Sequence, residues 1–153
     1  MKLLLCVLAV IFSYIAALNK EQKCKSMLES NKILCEIAEK IKENHIHSVI
    51  PIPDIIGEIA LEHGITITKY DDFSSFTAKF SSFFSNAIGF DEIYEQIINV
   101  SSAILSNIDE KCDLLCKLTA KNYEIASLKY EKCQKTVFYV YPGIATIIAI
   151  VLV

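Results

Sequence analysis

The residues with most chemical potential in this chain are its cysteines: Cys6, Cys24, Cys35, Cys112, Cys116 and Cys133. Cysteine at these positions serves as a disulfide half or a metal ligand. A structural zinc site wants closely spaced thiolate pairs, and no Cys-x-x-Cys occurs here, so a metal site is not expected. Disulfides remain. Cys24 and Cys35 are three helical turns apart, so they share a face but lie about 16 Å from each other, beyond bonding reach. Cys112 and Cys116 are one turn apart, and joining them would constrain little. Bonds between two helices are therefore expected, with Cys24–Cys133 as one rung and Cys35 with Cys116 or Cys112 as the other. The rails differ in spacing, which leaves a mismatch of about 9 Å or more for a helix to absorb. Cys6 lies in a segment read below as a leader, so the remaining five cysteines leave a spare thiol, either buried or used to link two chains into a dimer.

Other reactive groups are sparse. His45 and His47 are two residues apart, a spacing that shares a face on a strand but not on a helix, and Glu62-His63 stands alone. With four Gly there is no phosphate-cradling loop and no Gly-x-Ser-x-Gly elbow. No carboxylate falls in an apolar run that would raise its pKa for acid catalysis. No catalytic residue and no cofactor is expected, and the chain reads as a non-enzyme. All 15 basic residues are Lys; without Arg, the planar fork used for phosphate and base edges is missing, which argues against a nucleic-acid partner. Asn99-Val100-Ser101 is a glycosylation sequon. Phe73, Phe76, Phe80 and Phe83, with Phe84 beside them, recur at helical spacing. They are expected to be core; the alternative is the lining of a cavity for a small apolar ligand, which would need about 300 Å³ or more.

The two ends set the compartment. Met1–Ala17 has the form of a secretory signal peptide, with Lys2, an apolar run over 3–15 and small residues at Ala16-Ala17. That implies an oxidising environment. Residues 137–153 are almost wholly apolar, with Pro142-Gly143 inside. The leading expectation is a short membrane helix flanked by Lys132 and Lys135, with Tyr139 and Tyr141 near the interface. A buried helix or a hairpin turning at Pro142-Gly143 is the second reading, and a lipid-anchor signal the third.

Five helices would position these groups. Asn19 with Gln22 reads as a capping box opening a helix that runs to about His45, with Cys24, Leu28, Cys35, Ala38 and Ile41 inward. After Ile50-Pro51-Ile52-Pro53, Asp54 caps a short helix closed by Gly64, and 65–68 reads as an extended linker. Asp71 and Asp72 start the phenylalanine helix, which Gly89 ends. Asp91 caps a helix through Ile93, Ile97, Val100 and Ile104. Ser106 and Asp109 box the last one, whose inward face is Ile108, Cys112, Leu115, Thr119, Tyr123, Ala126, Tyr130 and Cys133, with Asp113 and Lys117 paired one turn apart on its outside. Charge is uneven: residues 50–110 hold ten acids and two Lys, whereas 111–135 hold six Lys and three acids. A basic helix just before an apolar tail suits anionic lipid.

The sequence thus reads as an all-α, disulfide-linked bundle of five helices over 18–135, after a signal peptide at 1–17 and before an apolar tail at 137–153. Its expected role is that of a secreted or cell-surface interaction module of unknown protein partner, membrane-held through the tail, with carriage of a small apolar ligand as the alternative.

Overall fold

The computed structural model describes residues 2–47, 50–67, 73–103 and 107–152, and among these there are helices and no strands. The helices are α1 (Lys2–His47), α2 (Ile52–Glu62), α3 (Phe73–Phe84), α4 (Phe90–Ser101), α5 (Ile108–Lys135) and α6 (Tyr141–Leu152), with a π-helical segment Thr136–Val140 between the last two. The chain divides into two compact units. One comprises Met27–Ile125; the other comprises Met1–Ser26 together with Ala126–Val153.

The first unit is built around one apolar core. From α1 come Ile33, Leu34, Ile37, Ala38 and Ile41; from α2 come Ile55, Ile56, Ile59 and Ala60; Phe80 and Phe84 of α3, Ile93, Ile97 and Val100 of α4, and Ile108, Cys112 and Leu115 of α5 complete it. Each such side chain removed from water contributes about 1.5–3 kcal/mol toward the ordering cost of the chain. α2 begins as expected after Pro51, with Pro53 in its first turn, where a missing N–H costs nothing. It closes at Gly64, whose φ of +73° lets the Gly64 N–H reach Leu61 O (2.9 Å) and the Ile65 N–H reach Ala60 O (2.8 Å). Residues 65–67 are irregular, with Ile67 buried, which agrees with a linker; Thr68, Asp71, Asp72, Ile104 and Ser106 lie outside the described residues, and with them the caps expected at those positions.

Several boundaries differ from expectation. α1 does not start at Asn19: it runs without interruption from Lys2, because the apolar run before Asn19 is itself helix-compatible and nothing breaks the ladder between them. The phenylalanine helix stops at Phe84 rather than at Gly89, and Gly89 is instead the left-handed residue (φ +64°) immediately before α4, with Asp91 and Glu92 in the first turn. Residues 137–152 form neither a hairpin nor one long helix. Pro142 has no N–H to give Phe138, and the hydrogen-bond ladder widens to a π segment just before it. α6 is then only 12 residues, about 18 Å. Among the described residues no helix is long and apolar enough to cross a membrane, so the spanning helix expected here is not found.

Candidate functional site

In the unit Met27–Ile125, α1 and α5 run antiparallel, with Lys42 paired to Asp113 at 2.6 Å and the Cys116 thiol donating to Ala38 O at 3.5 Å. Asp113 thus bonds across to α1 rather than chiefly to Lys117 along its own helix. Its carboxyl is held below the usual range by the hydrogen bond and charge of Lys42. This register puts Cys35 beside Thr119, with Cys116 near it but unbonded. The expected rung from Cys35 to Cys116 or Cys112 is therefore not formed: the unequal spacing of the two rails is absorbed by leaving a threonine opposite Cys35. Burial pushes the thiols of Cys35, Cys112 and Cys116 above their ordinary pKa, reinforced respectively by Glu39, by Asp109 and by Cys112, the last against the opposing pull of Lys42. Raised thiols are poor nucleophiles and poor metal ligands, and no group of three or more His, Cys, Asp or Glu able to hold a metal occurs among the described residues.

Cys24 and Cys133 belong to the other unit, where α1 and α5 place them near each other, but both are free and the expected rung is not formed here. The Cys133 thiol is buried, donates to Lys20 O at 3.6 Å and is pushed up to about 11, first by desolvation and then by the neighbouring Cys24. All five described thiols are free in this structure.

The aromatic stripe forms a cluster in the core. Phe80 is the hub, with ring centroids 6.0 Å from Phe76, 4.9 Å from Phe84, 5.7 Å from Phe90 and 6.1 Å from Tyr94. Phe80 and Phe84 are fully buried, Phe76 is half-buried and Phe83 is exposed; the side chain of Phe73 lies outside the described residues. The inward row thus follows steps of four (76, 80, 84), which turns the face away from Phe83. Phe90, contributed by the start of α4, was missed because it lies next to the turn glycine rather than within a periodic run. Beside Phe76 and Phe80 is a void of about 30 Å³, closed by Ile52, Ile56 and Ile97. That is room for about one water, not for a lipid.

α5 differs from its expected inward face at one position. Tyr123 is exposed and Asn122 is buried. Asn122 reaches Gly89: a Cβ added there would lie 2.6 Å from Asn122 Nδ2. Asn31 on α1 is buried too, its Nδ2 donating to Met27 O at 2.8 Å, and Ser30 next to it donates to Asn86 Oδ1 at 2.9 Å. Asn122 Nδ2 and Asn31 Oδ1 have no hydrogen-bond partner among the described residues. Buried amides carry no sequence periodicity of their own, so only packing reveals them.

Outside the core, His63 and Glu36 are joined at 2.6 Å between the end of α2 and α1, beside a groove of about 230 Å³ walled by Glu39, Glu43, Glu58 and Glu62. Glu62 is the last residue of α2 and His63 its C-cap. His45 and His47 fall on α1, where a spacing of two does not converge, and their side chains lie outside the described residues. Asn99 is half-exposed near the end of α4, its carbonyl accepting from Lys111 Nζ at 3.1 Å.

The unit made of the two chain ends is of another kind. Its N-terminal and C-terminal arms touch at Ser13 Oγ–Tyr141 O (3.4 Å) and at Lys20 over the Tyr141 ring (5.9 Å). They leave between them a groove of about 430 Å³, walled by Val10, Tyr14, Leu18, Val137 and Phe138 and bordered by Glu21. Phe138 is 67% exposed, Tyr139 77%, Ile147 63% and Ile150 72%, values that water alone does not favour for so many neighbouring large apolar groups. No protein-family model, no curated protein and no solved structure matches the chain.

Proposed function

We propose that the chain is a non-enzymatic protein of the secretory route, an interaction module held at the cell-surface membrane by its C-terminal segment, with Met1–Ala17 as the leader that brings it there. The observation that carries this reading is the way charge and apolar surface are divided. Residues 27–125 hold eight Lys against sixteen acids around a filled core, and most of the exposed large apolar residues belong instead to the unit made of the two ends. A net acidic exterior favours a partner with a basic surface. The apolar-ligand carrier is the weaker reading, because the void at the aromatic cluster is about a tenth of what a small-molecule site needs.

In an oxidising compartment Cys24 and Cys133 would join: the two thiols lose two protons and two electrons to the disulfide of an oxidoreductase, which is reduced to a dithiol. Their contact is the support for that pairing. Of Cys35, Cys112 and Cys116 at least one then stays a thiol, available within the fold or for a second copy, and Asn99 can carry a glycan.

Expression of the full chain in a secretory cell tests this. Surface biotinylation should label it, carbonate washing should leave it with membranes, and intact mass should show loss of the leader, a glycan at Asn99 and a gain of two hydrogen atoms on reduction of the Cys24–Cys133 bond. A chain confined to the cytosol, with its N-terminus intact and all cysteines reduced, would refute the reading.

A further inference from the structure

The unit made of the two chain ends contains a lipid-facing device that the module reading does not require. Outside Met1–Ala17 it holds six Lys against two Glu, a balance of plus four, although the whole protein carries −3. Lys129, Lys132 and Lys135 are exposed on the last two turns of α5, and Lys20 and Lys23 are exposed on the neighbouring stretch of α1. Immediately beyond Lys135 the chain becomes apolar on every side, and none of the residues Thr136–Val140 is buried. A helix apolar all round finds its solvent in protein or in lipid. Here protein does not cover it: Phe138, Tyr139, Ile147 and Ile150 are each largely exposed.

The dimensions decide how such an arm meets a bilayer. Among the described residues no helix is long and apolar enough to cross a membrane, while the described arm Thr136–Leu152, about 25 Å, exceeds the depth of one leaflet. The π segment at its base and Pro142 leave α6 at about 18 Å, which suits entry from one side at an oblique angle. Tyr139 and Tyr141 sit at the base, where amphipathic rings favour the headgroup level. The lysines then stand among the headgroups, where a positive collar is attracted by anionic lipid.

From this the geometry points to a one-leaflet anchor selective for anionic phospholipid: the C-terminal arm inserts obliquely into the near leaflet, and Lys20, Lys23, Lys129, Lys132 and Lys135 bind the negative headgroups. The occupant of the apolar face is a bilayer, chosen over a second copy of the chain because the charge at its base is net positive even with Glu21 and with Glu131 paired to Lys135 at 2.6 Å, and would repel its own kind. This deepens the membrane attachment proposed above. It does not depend on the module role or on the secretory route, since it is read with purified protein and vesicles.

The test is flotation of the full chain with vesicles of phosphatidylcholine alone or mixed with phosphatidylserine, at low and high salt. Binding should be strong only on the mixed vesicles and should weaken with salt. Each lysine near an anionic surface changes partitioning roughly fivefold, so the triple variant Lys129→Gln, Lys132→Gln, Lys135→Gln should lose about a hundredfold. These side chains are exposed, so the fold tolerates the change. The chain has no Trp, and Phe138→Trp and Ile147→Trp therefore report depth through brominated lipids; Ile147→Trp should be quenched by bromine deeper in the chain. A protease sealed inside the vesicles should leave a C-terminal tag intact. Equal binding to neutral and mixed vesicles, cleavage of the tag from the lumen, or a dimer that ignores vesicles would each overturn the proposal.

Discussion

Phe80→Ala separates a filled core from a ligand cavity. Phe80 has no exposed surface and touches four other rings. Removing the ring forfeits about 2–3 kcal/mol of transfer free energy. A residual cavity on the order of 100 Å³, at roughly 24 cal/mol per Å³, adds about 2 kcal/mol more. The neighbouring 30 Å³ void would merge with it rather than help it collapse. The expected loss is therefore about 4–5 kcal/mol, a third to a half or more of what a domain usually has. The assay is urea unfolding followed by far-UV circular dichroism, with the reducing agent held constant. Benzene or indole at saturation should restore part of the loss, since a dry apolar cavity accepts such ligands and only the folded state has it. A loss below about 1.5 kcal/mol would mean that the site is already underpacked. A melting temperature of the wild type raised by fatty acids or retinoids would mean that it is a carrier, and either result would refute a closed core here.

Other perturbations address the remaining features. Gly89→Ala should cost about 1–2 kcal/mol for a left-handed backbone and about 1 kcal/mol more for displacing the Asn122 amide; in an Asn122→Ala background only the backbone part should remain, so an additive double-mutant cycle would show that the close approach is not real. In the reduced protein, alkylation of Cys133 should reach its midpoint near pH 11, not near the ordinary thiol value of 9. Because the folded state holds that proton more tightly, the associated stability is complete below about pH 9 and is lost as pH rises toward 11; Cys133→Ala should remove that slope from urea midpoints measured across the window. Lowering the pH below the ordinary carboxylate range should open the Lys42–Asp113 pair, with Asp113→Asn abolishing the corresponding shift in an NMR titration; a shift that survives the substitution would assign it elsewhere.

Much of the local structure was legible in the chain itself. Apolar residues three and four apart can bury as one helix face, so α2, α4 and most of the face of α5 could be drawn from spacing alone, whereas the buried face of α1 centres on Leu34 and Ile37 and leaves Cys24, Leu28 and Cys35 half-buried. Packing decided the rest. Whether Asn122 or Tyr123 turns inward depends on where Gly89 lies, because an amide fits against a residue without a side chain and a tyrosine does not. Which thiol faces Cys35 depends on the register of α1 against α5, and Lys42–Asp113 together with the close approach at Ala38 leaves Thr119 there. The count of phenylalanines could not distinguish a filled core from a pocket, since the difference is the space between rings. The C-terminal segment shows both kinds of cause at once. Its apolar composition is plain in the sequence, whereas the π segment that widens the helix just before Pro142 appears only in the folded backbone.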